Sequence, residues 1–106
     1  MRIKSKLLFG KSIRDKSKVY DLLQSGKLPF GYYLLLCTKE GNLEFAPAWM
    51  QSNRYYLSDH FIVFGVTYGK KEACNMIADI VSMVYTDQKY TSLKTYVREV
   101  LGAELC

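Results

Sequence analysis

YYLLLCT, residues 32–38, followed by KEGN at 39–42 and LEFA at 43–46, is the stretch from which the fold can be read. Tyr32 to Thr38 is apolar at successive positions rather than at alternate ones. In a run of seven bounded by turn signals, that pattern predicts a strand buried on both faces. Lys39-Glu40-Gly41-Asn42 supplies the turn residues of a hairpin, and Leu43 to Ala46 returns as its second strand. Pro47 lacks an N–H, so it ends that strand or places it at a sheet edge. Downstream, Arg54 to Leu57 and His60 to Val66 read as a further pair of strands around Ser58-Asp59, with Phe61-Ile62-Val63-Phe64 central in the sheet.

Working outward, residues 2–9 (RIKSKLLF) alternate basic with small or apolar residues and then turn apolar, which predicts a first strand whose lysines suit an edge. Ser12 opens a Ser-x-x-Asp pattern close to a capping box. Ile13, Val19, Tyr20, Leu22 and Leu23 then fall largely on one helical face, and Gly26 is the stop. Pro29-Phe30-Gly31 is a turn. Gly69 opens a helix over 70–86, with Ala73, Ile77, Ile80, Val81 and Val84 as its apolar face and Glu72, Asn75, Asp79 and Ser82 opposite. A last helix is expected after Thr91 or Ser92, on Leu93, Tyr96, Val97, Val100 and Leu101, ending at Gly102. The expected class is α+β: one domain over residues 1–106, with a small antiparallel sheet of about four to five strands. Two to three helices should pack on one face of that sheet, in the order β-α-β-β-β-β-α-α.

Composition fits that picture. With 106 residues, 49% of them apolar and 24% charged, the chain can bury a core without metal or disulfide staples. Cys37, Cys74 and Cys106 are odd in number and widely spaced, so no disulfide framework is implied. The basic residues 1–12 contain only Leu7-Leu8-Phe9 as an apolar run, too short for an export signal, and no apolar run elsewhere is long enough to span a bilayer. The expectation is a cytoplasmic protein with reduced thiols and no membrane partner. The net charge of +5 is lopsided. Arg2, Lys4, Lys6, Lys11, Arg14, Lys16, Lys18 and Lys27 oppose only Asp15 and Asp21 in the first thirty residues, a local +6, while the rest of the chain stands at −1. Such a field attracts nucleic acid or another anionic partner.

Two stretches fall short of phosphate-binding loops. Gly10-Lys11-Ser12 has the ending of one, yet the glycine required five positions earlier is Ser5, and Lys6-Leu7-Leu8-Phe9 is too bulky to wrap phosphates with backbone N–H groups. Gly65 to Lys71 (GVTYGKK) is one residue short, and Lys71 stands where a magnesium-binding hydroxyl belongs. What survives is a helix start behind Gly69 flanked by Lys70 and Lys71, which favours anions. His60 is the single histidine, so an imidazole base would have to be that residue, paired with Cys37 or Cys74. No nucleophile signature surrounds either cysteine, and Cys74 reads as helix core. Zinc-ligand spacing is missing, and neither a metal site nor a cofactor is expected.

The sequence therefore points away from an enzyme and toward a non-catalytic interaction module for a protein partner or for self-association. Trp49, Met50, Tyr55 and Tyr56 are its expected contacts. The alternative is an accessory nucleic-acid binder that meets phosphates through the basic N-terminal third. Its residues would be Lys4, Lys6, Lys11, Arg14, Lys16 and Lys18, with Lys70 and Lys71 as a further anion contact and tyrosines as stacking surfaces. The last alternative is an enzyme built on Cys37 and His60.

Overall fold

The computed structural model describes residues 2–38, 40–52 and 61–87. Strand β1 (Arg2–Phe9) leads to helix α1 (Lys16–Gln24), then to β2 (Tyr32–Thr38) and β3 (Leu43–Pro47). A short 3-10 helix (Ala48–Ser52) follows, and beyond it lie β4 (Phe61–Tyr68) and helix α2 (Lys70–Asp87). The expected strand at 54–57, His60 and the expected helix at 92–101 lie outside the described residues.

The strands form one sheet in the order β1-β4-β2-β3. The β2–β3 hairpin is antiparallel, from Tyr33 opposite Pro47 to Cys37 opposite Leu43, and β2 also runs antiparallel to β4. β1, however, lies parallel to β4, with Phe9 opposite Val66. The sheet is therefore mixed, not antiparallel. Alternation within a strand fixes which side chains share a face, but it carries no information about the direction of the neighbour.

The core has two layers, one on each side of the sheet. Val19 and Leu23 of α1 pack with Leu34, Leu36, Phe61, Val63 and Val66 on one side. Ala73, Ile80 and Val84 of α2 pack with Leu35, Cys37, Ile62 and Phe64 on the other, joined by Ile77 and Met76. This corrects the expectation of helices on a single face. β2 and β4 are apolar on both sides, so a helix is needed over each side to keep those residues from water.

Local chemistry sets the helix ends. The cap of α1 is Asp15, whose carboxylate accepts the Lys18 N–H at 3.0 Å, so the helix begins after Asp15 and Ser12 is not its cap. At the other end Gly26 (φ 70°) donates to the Leu23 carbonyl and Lys27 donates to that of Leu22. This paired closure satisfies the last carbonyls and needs a left-handed residue. Gln51 of the 3-10 helix donates to the Leu23 carbonyl at 3.1 Å, fastening that segment to α1. No helix among the described residues is long and apolar enough to cross a membrane.

Candidate anion site at the paired helix starts

β1 and β4 end side by side, and the Gly10 N–H donates to the Val66 carbonyl at 2.9 Å. From that shared end the chain leaves β1 for α1 on one face and β4 for α2 on the other. Where neighbouring parallel strands send their helices to opposite faces, the departing loops part and leave a crevice at the strands' carboxyl ends. Both helix starts, which favour negative charge, lie at this end.

Tyr68, the last residue of β4, stands in that crevice with 53% of its surface exposed. Its ring meets Tyr32 edge-on, centroids 5.1 Å apart and planes at 78°. Gly31 passes beneath it so closely that a β-carbon there would come within 2.9 Å of the ring, and Gly31 has φ 105°. No other residue type meets both demands without strain. The Gly31 carbonyl accepts the Gly69 N–H at 2.8 Å, which ties this turn to the start of α2. Phe30, the preceding residue, is 84% exposed.

A groove opens on each side of Tyr68. The first, about 650 Å³, is lined by Phe9, Lys11, Gly69, Lys71, Glu72, Asn75, Met76 and Asp79. The second, about 490 Å³, is lined by Arg14, Asp15, Lys18 and Tyr32 among others. Lys70, next to Gly69, is exposed at the same helix start. Five cationic side chains thus lie at or beside the two grooves, against three carboxylates.

Two of those carboxylates are already engaged. Asp15 caps α1. Glu72 accepts from the Ser12 hydroxyl at 2.8 Å, the Ser12 N–H at 3.2 Å and the Tyr68 N–H at 3.1 Å. Partial burial would raise its pKa, but those three donors outweigh it and hold the carboxyl below its ordinary value. Ser12 and Glu72 do not form a nucleophile and base. A carboxylate stabilised in its charged form is a poor proton acceptor, and its lone pairs are shared with two backbone donors. The Gly10-Lys11-Ser12 turn also presents no open phosphate cradle, because the Ser12 donors face Glu72.

The expected contacts divide. Lys11, Arg14, Lys18 and Lys71 line the two grooves, with Lys70 beside them. Lys16 lines neither groove: its ammonium sits 5.9 Å from the centroid of the Phe9 ring, which separates the first groove from a hollow lined by Leu7, Lys16, Tyr20 and Asp21. Lys6 is exposed on β1, and the Lys4 side chain, Tyr55 and Tyr56 fall outside what is described. Trp49 is 58% exposed and Met50 partly buried on the 3-10 helix, and neither lines a groove. Cys37 is buried beneath α2, and Cys74 is exposed on α2 rather than part of its core face. Its position one residue after Ala73 turns it off the buried stripe. Among the described residues no three metal-ligating side chains come together.

Sequence reasoning missed Glu72, which it placed on the solvent face, and Tyr68, to which it gave no role. Glu72 is three residues into α2, where a glutamate can reach back to a preceding N–H, and that position was the available signal. Comparison of the chain with models of protein families, with curated proteins and with solved structures finds no match.

Proposed function

We propose that this chain is a non-catalytic nucleic-acid-binding module that holds the phosphate backbone at the shared end of β1 and β4. The observation that carries this reading is the placing of Lys11 and Lys71 on one side of Tyr68 and Arg14 and Lys18 on the other. Residues up to sixty positions apart in sequence supply one surface, on which five cationic side chains outnumber three carboxylates. Ammonium and guanidinium groups flanking exposed rings suit a charged backbone carrying flat bases.

The test is anisotropy of a labelled oligonucleotide titrated with protein at low salt. A contact using about four cations gives roughly fifty-fold weaker binding to a single strand between 50 and 200 mM salt. Lys11→Glu combined with Lys18→Glu should weaken binding to every sequence alike, since phosphate contacts carry no base information. Absence of binding at tens of micromolar protein and low salt would exclude the reading.

The second reading, a protein-contact module, is favoured by the exposure of Trp49 on the 3-10 helix that follows β3. An exposed tryptophan is a strong anchor when a partner buries it. In that case Trp49→Ala, rather than the lysine changes, would abolish association, and salt would have little effect.

A further inference from the structure

We propose that the strand held here is single and that one unpaired base stacks on Tyr68; this rests on the phosphate-binding reading above. Tyr68 is the wall common to both grooves, so its ring lies between the Lys11–Lys71 pair and the Arg14–Lys18 pair. Among the described residues Tyr32 meets the ring edge-on and Gly31 passes beneath it, and half of the residue is left to solvent. A backbone crossing from one cation pair to the other passes the tyrosine and sets a base beside it. In a duplex every base is already stacked and paired, so a ring flanked by phosphate contacts gains nothing without melting. An unpaired base offers its π-face freely, and any base will serve. Among the described residues both grooves are recesses at a strand end, whereas reading a duplex groove takes a projecting helix or ribbon.

The ring is also fixed in place. Its backbone N–H is held by Glu72, the next residue is tied to Gly31, and Gly31 leaves no room for the ring to sink. A pre-set aromatic surface loses little side-chain freedom on binding.

The experiment compares oligo-dT, oligo-U and a dA·dT duplex of equal length, each titrated with wild type, Tyr68→Ala and Tyr68→Phe. In parallel, wild type is added to oligo-dT carrying a 2-aminopurine, whose emission falls when it stacks on a ring. The expected result is preference for the single strands and a loss of about tenfold on Tyr68→Ala. Tyr68→Phe should retain affinity, and 2-aminopurine emission should fall on binding. Duplex bound as tightly as single strand, with unchanged 2-aminopurine emission, overturns the stacking inference and leaves the phosphate reading standing. Should Tyr68→Ala lose single-strand and duplex binding together, as an unfolded variant would, the wild-type 2-aminopurine signal decides. No binding to any of the three overturns both readings.

Discussion

At Glu72 three donors from two separate chain segments converge on one carboxylate, and each draws on its negative charge. Replacement by Gln keeps the shape but presents an amide N–H₂ to donors, so Glu72→Gln should cost about 1 kcal/mol at neutral pH. The dependence on pH follows from the lowered pKa. In the unfolded chain the group titrates near its ordinary 4.5, and in the folded protein it titrates lower. Folding thus favours the ionised form, and the stabilisation is fully present above the unfolded value and lost as pH falls through the folded one. Urea unfolding of wild type and Glu72→Gln should show a gap at pH 7 that shrinks at a pH below the unfolded value. A gap of equal size at both pH values would mean that the charge is not what Glu72 contributes. Gly10 bears on the same contact. A β-carbon there would overlap the Glu72 carboxylate, and this flexible chain end would swing away. Gly10→Ala and Glu72→Ala should therefore cost about the same and fail to add in the double variant, as expected of residues sharing one interaction.

At the scale of the elements, much was legible and the exceptions have physical causes. The β2–β3 hairpin could be read because its turn residues and apolar runs are contiguous, and α2 because its apolar stripe repeats over about three turns. The parallel pairing of β1 with β4 could not, because it joins segments some sixty residues apart and leaves no local pattern. The placing of helices on both faces was legible in principle. Two strands apolar on both sides, Tyr32 to Cys37 and Phe61 to Phe64, already demanded cover on both sides. At α1 the serine at 12 and the aspartate at 15 compete for the same start signal, and only the structure shows that Asp15 makes the capping bond. Asp15→Ala should cost about 1 kcal/mol in thermal or urea unfolding. Ser12→Ala should act through Glu72 instead, so its effect should vanish in a Glu72→Ala background and add to that of Asp15→Ala. Additivity with Glu72→Ala would show that the Ser12 hydroxyl works elsewhere.

For the whole molecule, the question is whether net charge or its placement governs binding. The sequence shows a basic N-terminal third, and in linear terms Lys16 and Lys18 are equivalent members of it. The helix separates them: two residues apart on α1 is about 200° around the axis, so Lys18 lines the groove beside Tyr68 while Lys16 lies over Phe9 in the neighbouring hollow and lines neither groove. That separation was not visible without knowing where α1 sits on the sheet. Lys16→Gln and Lys18→Gln each lower the formal net charge from +5 to +4, so any difference between them reports position alone. If backbone phosphates occupy the grooves, Lys18→Gln should weaken binding to a single strand several-fold and flatten the slope of log affinity against log salt by about 0.7. Lys16→Gln should leave that slope unchanged, because a lysine outside the contact releases no bound counterion when the complex forms. A diffuse attraction between a basic protein and a polyanion predicts instead that both variants weaken binding equally. Equal losses and equal slopes would therefore remove the grooves from the account, however tightly the wild-type protein binds.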